Sequence, residues 1–129
     1  MNIIYNYNTR HSYITTITLM EVIKNILNEN AVVYFKLPGC LDCNKLDVFL
    51  KEKAVTCLCF NLNEIDDDNS YEEAVSYLHS LSKTRRCPML FINGTYYGDY
   101  NAVLNLYVVG ELSKIFKREL NVTIEDQEF

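Results

Sequence analysis

The sequence has few of the features that mark several large classes of protein. It contains no stretch close to the roughly 20 consecutive apolar residues that a transmembrane helix needs, so we expect no contact with a membrane. The chain is not basic, since it has 12 Lys and Arg and 17 Asp and Glu, which gives a formal net charge of −5. Without a basic cluster, nucleic acid is not expected to be a partner. The 129 residues show no internal repeat, linker or low-complexity tract, and the length fits one domain.

The first residues also lack the apolar block of a signal peptide, because Met1–Tyr13 is polar and rich in Tyr and Asn. We therefore expect a cytoplasmic protein in a reducing environment. In that setting the five cysteines are the most informative part of the composition, since an odd number cannot all pair within the chain. A secreted disulfide scaffold would be shorter and denser in cysteine. Redox catalysis, metal binding and small buried thiols remain as explanations.

Hydrophobic periodicity predicts alternating helices and strands. Thr18 with Glu21 forms a capping-box pattern at the first helix, and Ser70 with Glu73 forms a second one. Asn101 is the expected N-cap of a later helix. The predicted helices cover residues 18–28, 40–53, 71–81, 101–109 and 111–120, and the predicted strands cover 31–36, 55–62, 89–92 and 95–97.

This order of elements, α-β-α-β-α-β-β-α-α, predicts an α/β fold. The first two strands are joined through a helix and should be parallel, whereas Asn93-Gly94 predicts an antiparallel hairpin for the last two. The result is a mixed four-stranded sheet flanked by helices, a three-layer architecture of the thioredoxin-like kind. We assign residues 1–17 to an N-terminal extension, 18–120 to the folded domain and 121–129 to a frayed C-terminal tail.

The motif most informative about chemistry is a C-x-x-C sequence, Cys40-Leu41-Asp42-Cys43, at the turn from a buried strand into a helix. At a helix N-terminus, unpaired backbone amides and the helix dipole favour thiolate, so we expect a lowered pKa for Cys40. Cys43 lies about one turn further on and can attack a mixed disulfide held on Cys40, as thiol–disulfide exchange requires. A zinc site would need two more ligands, and the sequence has no second C-x-x-C and only two isolated histidines.

A proline at the start of the third strand is the second feature of the predicted site. Pro88 cannot donate to a sheet ladder, so it should stand at the beginning of the strand. We expect the Cys87–Pro88 bond to be cis and to lie against the C-x-x-C motif. Cys87 has three possible roles: an inert strand thiol, a second resolving cysteine, or a ligand of a metal or iron–sulfur site. Cys57 and Cys59 alternate on a strand and are expected to be buried core thiols.

The sequence resembles the glutaredoxin family from about Thr18 to Phe116, and on this basis residues 18–120 form a glutaredoxin-like domain. Proline followed by Phe-Ile-Asn-Gly, with a glycine a few residues later, is more specific to the family than C-x-x-C. The blocks that carry the resemblance come in the family's order and spacing: Val32-Val33-Tyr34-Phe35, Pro38-Gly39-Cys40-Leu41-Asp42-Cys43, Arg85-Arg86-Cys87-Pro88-Met89-Leu90-Phe91-Ile92-Asn93-Gly94, Gly98-Asp99-Tyr100-Asn101 and Gly110-Glu111-Leu112.

The resemblance implies a glutathione-dependent thiol–disulfide oxidoreductase of the dithiol type. Glutaredoxins reduce glutathione mixed disulfides and protein disulfides, and glutathione regenerates them. Cys40 would attack the disulfide, and either glutathione or Cys43 would resolve the intermediate. Glutathione is thus the implied co-substrate, and no metal is expected. The implied partners are glutathionylated or disulfide-bonded proteins, with ribonucleotide reductase as a candidate at the level of the family.

The resemblance also implies a binding site for glutathione. The backbone of Cys87, before Pro88, would pair with the cysteinyl part of glutathione. The amides of Tyr100 and Asn101, at a helix start, would hold its γ-glutamyl carboxylate. The candidates for the glycyl carboxylate are Lys36 and Arg85.

Two acidic residues depart from the usual pattern of the family. Asp42 stands where tyrosine is common and should raise the pKa of Cys40, and Asp99 replaces a glycine. Both lie where glutathione carboxylates are expected, which favours an alternative, a thioredoxin-type protein disulfide reductase that uses little glutathione. A further alternative is an iron–sulfur or metal carrier that uses Cys40, Cys43 and Cys87.

Overall fold

The computed structural model describes residues 18–37 and 39–125. The predicted N-terminal extension (residues 1–17), Pro38 and residues 126–129 lie outside the described part of the chain. None of the helices in the described part is both long and apolar enough to cross a bilayer. The elements are α1 (Leu19–Glu29), β1 (Val32–Lys36), α2 (Cys43–Glu52), β2 (Leu58–Asn61), α3 (Asp68–Ser82), β3 (Met89–Ile92), β4 (Thr95–Gly98), α4 (Tyr100–Val108) and α5 (Glu111–Leu120), with a short 3-10 turn at Leu62–Glu64.

The four strands form one mixed sheet in the order β2-β1-β3-β4. β1 and β2 are parallel, with Val33 opposite Leu58. β1 and β3 are antiparallel, with Val33 opposite Phe91, and β3 and β4 form the predicted antiparallel hairpin. The predicted α/β, thioredoxin-like architecture is therefore confirmed.

Alternate residues of β1 enter two separate cores, which explains why this strand is apolar almost throughout. Tyr34 lies in a cluster with buried residues of α2, α4 and α5. Phe35 lies in a second cluster with buried residues of α1 and α3. Helices therefore cover both faces of the sheet, and the end of β1 leads into the loop that carries the C-x-x-C motif.

Capping of α1 is as predicted, whereas capping of α3 is not. The N–H of Glu21 donates to Thr18 Oγ1 at 3.2 Å, and the N–H of Thr18 donates to Glu21 Oε1 at 3.2 Å. The predicted box of Ser70 and Glu73 is wrong, because α3 starts earlier. Its N-cap is Asp67, which accepts a hydrogen bond from the N–H of Ser70 at 2.8 Å.

The helices α2 and α4 also start at residues other than those predicted. α2 begins at Cys43, so Cys40 lies before the helix and Asp42 is the N-cap. The N-cap of α4 is Asp99 rather than Asn101. Both N-caps are aspartates, and both lie in the family blocks that the sequence assigns to the site.

The prediction of two buried core thiols is wrong for Cys59, which is exposed, and holds only in part for Cys57, which is half-buried and packs against the cluster of α2, α4 and α5. Cys59 is exposed because β2 lies at the edge of the sheet, where β1 is its neighbour on one side. Alternation along an edge strand does not by itself bury a side chain.

The beginning of the C-terminal tail is not frayed in the described part of the chain. Ile124 is buried in the cluster formed with α2, α4 and α5. The N–H of Val122 donates to the carbonyl of Phe116 at 3.3 Å. The chain after α5 therefore folds back onto the core, and the prediction of a frayed tail fails for residues 121–125.

Candidate active site

Two cysteines form a disulfide at the junction of β1 and α2. Cys40 lies in the connecting loop and Cys43 is the first residue of α2, and their Cα atoms are 5.7 Å apart. Cys43 is only 1% exposed, whereas Cys40 is half-buried. The sequence thus places one sulfur where a substrate can reach it and one behind it, the arrangement that thiol–disulfide exchange requires.

A third cysteine lies beside this pair. Cys87 precedes β3, and the Cys87–Pro88 peptide bond is cis, as predicted. The Sγ atoms of Cys40, Cys43 and Cys87 all lie within 4.8 Å of one another. Burial raises the pKa of the Cys87 thiol, and hydrogen bonds with the backbone of Leu37 and of Cys87 itself oppose this shift.

The N-terminus of α2 is open toward the disulfide. Asp42 is the N-cap, but its side chain accepts no capping hydrogen bond. Instead, its Oδ1 lies 3.6 Å from Lys45 Nζ. The Lys45 ammonium also lies 5.9 Å from the centroid of the Tyr100 ring. The negative charge of Asp42 is thus partly balanced, and the positive end of the helix dipole acts next to the two cysteines.

The N-terminus of α4 is capped. Asp99 Oδ1 accepts a hydrogen bond from the N–H of Ala102 at 3.0 Å, and Asp99 Oδ2 lies 3.6 Å from Arg86 Nη1. Tyr100 and Asn101, the residues predicted to hold a carboxylate through their amides, are the first two of this helix. The cap occupies the third amide of the first turn and leaves the preceding two to other acceptors.

Gly98 allows the end of β4 to pass close to α4. Its φ of +135° is in a region that L side chains rarely adopt, and a Cβ at this position would collide with the side chain of Ala102. This explains in steric terms why the later glycine of the family pattern is required here. It also fixes the place of Asp99, the next residue, at the start of α4.

The two residues predicted to bind the glycyl carboxylate lie at different places. Lys36 is the last residue of β1 and is half-buried. A hydrogen bond from Lys51 is the main cause that lowers the pKa of Asp47 on α2, and the charge of Lys36 contributes to the same shift. Arg85 is exposed before β3 and takes part in none of the ion pairs of the described residues.

Two apolar side chains in or shortly after the C-x-x-C motif are exposed, and sequence reasoning did not predict this. Leu41, inside the C-x-x-C motif, is 88% exposed, and Val48 is 52% exposed. A shallow groove of about 330 Å³ is lined by Val48, Phe49 and Tyr100, together with polar residues of α2. The signal in the sequence was Val48, an apolar residue on the outer face of an amphipathic helix.

Comparison with known proteins places these features in one family. The family model for glutaredoxin matches residues 32–97, just over half of the chain. A putative glutaredoxin-C14 of Oryza sativa subsp. japonica is 28% identical over 98 residues, which cover 76% of this chain and 93% of that protein. Glutaredoxin-C13 of Arabidopsis thaliana is 26% identical over 98 residues, with the same coverage of both chains.

Solved structures share the fold. A buckwheat glutaredoxin–glutathione complex is similar with a TM-score of 0.69 at 17% identity, covering 78% of this chain and 88% of that one. The holo form of glutaredoxin C1 from Populus tremula × tremuloides is similar with a TM-score of 0.68 at 21% identity, covering 78% and 97% of the two chains.

Proposed function

The chain belongs to the glutaredoxin family and is a thiol–disulfide oxidoreductase, and we propose that glutathione is its reducing co-substrate. We assign the attacking thiolate to Cys40 and the internal resolving thiol to Cys43. The observation that carries this assignment is the pair of sulfurs, one accessible and one buried, joined at the N-terminus of α2. We propose the cytoplasm as its location, because the glutathione pool there keeps thiols reduced.

Two routes use the same first step. The Cys40 thiolate attacks the glutathione sulfur of a mixed disulfide, a Cys40–glutathione disulfide forms, and the substrate leaves as a thiolate. A second glutathione thiolate then attacks the glutathione sulfur of this adduct, which releases the Cys40 thiolate and glutathione disulfide. On a protein disulfide, the Cys40 thiolate attacks one of the two sulfurs, which forms a Cys40–protein mixed disulfide and releases the other sulfur as a thiolate. Cys43 then attacks Cys40 Sγ, so that the Cys40–Cys43 disulfide closes and the protein leaves with both of its thiols reduced. Two glutathione molecules reduce that disulfide again.

Several features support a glutathione site beside Cys40. Cys87, the residue before Pro88, has its Sγ within 4.8 Å of both sulfurs of the disulfide. The amides of Tyr100 and Asn101 begin α4, where a helix dipole favours a carboxylate. A solved relative of the same fold, from buckwheat, is a complex with glutathione. Lys36 and Arg85 complete the proposal as partners of the glycyl carboxylate.

Two aspartates near the site would repel the carboxylates of glutathione, but each of them is paired with a cationic side chain. Asp42 lies 3.6 Å from Lys45, and Asp99 lies 3.6 Å from Arg86. Each pair reduces the net negative charge that an incoming glutathione would meet. We propose glutathionylated and disulfide-bonded proteins as substrates, with the exposed Leu41 as part of the surface that they contact.

The decisive experiment compares two reducing systems on the same protein. Reduction of a small glutathione mixed disulfide should proceed with glutathione and glutathione reductase, and much more slowly with thioredoxin reductase. Cys40→Ser should lower the rate to that of the uncatalysed reaction, because no other thiol in the motif is accessible. Cys43→Ser should keep this activity, since glutathione resolves the adduct. Cys59→Ser, an exposed thiol on β2, is the matched control and should change nothing.

Two other results of this experiment would contradict the proposed function. Full activity of Cys40→Ser would refute the assignment of the nucleophile. Turnover of protein disulfides with thioredoxin reductase, and none with glutathione, would instead support the thioredoxin-type alternative.

One observation favours a second candidate function, metal or iron–sulfur carriage: the sulfurs of Cys40, Cys43 and Cys87 lie within 4.8 Å of one another. In a tetrahedral zinc site with Zn–S bonds of about 2.3 Å, sulfur ligands lie about 3.8 Å apart, so these three sulfurs could ligate such an ion only after the Cys40–Cys43 disulfide is reduced. A fourth ligand would have to come from outside this cluster. Protein purified without oxygen that shows neither iron–sulfur absorption bands nor bound zinc would refute this function.

A further inference from the structure

Cys87 is the one sulfur at the site that the glutaredoxin reaction does not use. It is half-buried, as Cys40 is, whereas Cys43 is almost completely buried. All three Sγ atoms lie within 4.8 Å of one another. Two thiols of comparable exposure therefore lie side by side at the entrance, and the third lies behind them.

We propose that Cys87 is a second resolving cysteine, which closes a disulfide with Cys40 and so competes with Cys43 and with glutathione. This inference rests on the proposed role of Cys40 as the nucleophile.

The position of Cys40 in the chain favours this exchange. Cys40 belongs to the loop between β1 and α2, whereas Cys43 is fixed in the first turn of α2 and Cys87 is held against the start of β3. A disulfide bond is about 2.05 Å long, so closing the Cys40–Cys87 pair from 4.8 Å or less requires a shift of under about 3 Å. A loop residue can make such a shift without breaking a helix or a strand.

Reduction of a disulfide by Cys40 and Cys87 needs no further oxidant or reductant. Cys40 thiolate first attacks a disulfide, keeps one half of it as a mixed disulfide and releases the other half as a thiolate. Cys87 thiolate then attacks Cys40 Sγ, so that the Cys40–Cys87 bond forms and the second half leaves as a thiolate. Two electrons pass from the two cysteines to the substrate disulfide, and the protons of the two thiols end on the released thiols or in solvent.

The surroundings of Cys87 affect the pH at which its thiolate forms. Burial is the main cause that raises the pKa of its thiol, backbone hydrogen bonds oppose this shift, and the negative charges of the N-cap residues Asp42 and Asp99 act in the same direction as burial. Arg86 offsets part of the charge of Asp99, at 3.6 Å. Because only the thiolate attacks, resolution by Cys87 should become faster as the pH rises through the ordinary thiol range of about 8–9 and above it.

The test uses a chain without competing thiols. In a background of Cys57→Ser and Cys59→Ser, three reduced proteins are compared: the background itself, Cys43→Ser, and Cys43→Ser with Cys87→Ser. Each is treated with glutathione disulfide, and intact mass and peptide mapping are followed with time. Cys43→Ala serves as a second form of the variant, since a buried thiol acts as a small apolar side chain.

The two variants that lack Cys43 have different expected outcomes. With Cys43 replaced, the glutathione adduct on Cys40 should give way to a chain that has lost two hydrogens, with a mapped Cys40–Cys87 crosslink. The adduct should live at least about tenfold longer when Cys87 is also replaced, because an internal thiol acts at an effective concentration in the millimolar range. The decay in the variant that keeps Cys87 should also accelerate with pH.

Two failures are distinguishable. If the Cys40 adduct forms but lives equally long with and without Cys87, the second resolving cysteine is refuted and the glutathione reaction stands. If no adduct forms on Cys40 in either variant, the proposed function itself fails.

Discussion

The helices α2 and α4 both begin at the active site with an aspartate as N-cap, yet the two aspartates have different roles. Asp42 makes no capping hydrogen bond and lies 3.6 Å from Lys45. Asp99 accepts the N–H of Ala102 at 3.0 Å and lies 3.6 Å from Arg86. The same residue type at the same helix position therefore leaves α2 without a side-chain cap and caps one amide of α4.

Backbone conformation explains the difference. Asp99 is extended, with φ −87° and ψ −173°, which is the conformation in which an N-cap side chain can turn back to the first turn. Asp42 has φ −96° and ψ −1°, in the helical region, and its carboxylate points elsewhere. The open start of α2 carries the reactive cysteines, and the capped start of α4 carries the proposed anion site. The effect of an acidic residue on the binding of an anionic ligand therefore depends on the groups that its carboxylate contacts.

The largest difference between the two aspartates should appear in stability. Asp99→Ala removes the cap of α4 and the partner of Arg86, and should lower the free energy of unfolding by about 1 kcal/mol. Asp42→Ala removes only a partly exposed ion pair and should change it by less than about 0.5 kcal/mol. Urea denaturation of both variants in reduced form measures the two values. Equal decreases in the free energy of unfolding would show that Asp42 also stabilises the start of α2. The proposed difference between the two aspartates would then be wrong.

A smaller effect is expected on glutathione. Asp99→Asn keeps the cap, since asparagine caps as well as aspartate does, but it removes the negative charge next to the amides of Tyr100 and Asn101. The KM for glutathione should fall about two- to fivefold, which corresponds to about 0.4–1 kcal/mol and is the size expected of a partly exposed charge interaction. Arg86→Gln is the matched control and should raise the KM, because it leaves Asp99 without its partner.

The dependence on salt distinguishes an electrostatic effect of Asp99→Asn on the KM for glutathione from an effect of altered structure. The difference between Asp99→Asn and the unmodified protein should shrink as ionic strength rises, because exposed charges are screened. A KM that stays the same in both variants would place the γ-glutamyl carboxylate away from α4.

Much of the fold could be predicted because its signals are local. The apolar run of β1, the Asn93-Gly94 turn and the Thr18–Glu21 capping box each depend on a few neighbouring residues, and all three appear in the structure. The C-x-x-C pair is of the same kind, since three residues of spacing at a helix start bring two sulfurs together.

The missed features depend on tertiary context. Cys59 is exposed because β2 lies at the edge of the sheet, and no residue near it in sequence reveals that position. Asp99 rather than Asn101 caps α4 because Gly98 sets where β4 ends, although both polar residues are good N-caps. The role of Cys87 stayed open because its distance from Cys40 depends on how β3 and the loop after β1 come together.

The smallest effect should be on the reactivity of Cys40. Asp42→Asn removes a negative charge two residues away and frees Lys45, so the pKa of Cys40 should fall, by less than about 0.3 unit or about 0.4 kcal/mol, because Asp42 is partly exposed and already paired. Thiolate absorbance against pH, in chains whose other cysteines are serine, measures this pKa. The same measurement on Asp99→Asn should show a smaller decrease, because Asp99 is directed at Ala102 and Arg86. An equal decrease of the Cys40 pKa in both variants would mean that the two negative charges affect Cys40 equally. The contacts of each aspartate would then make no difference to this pKa.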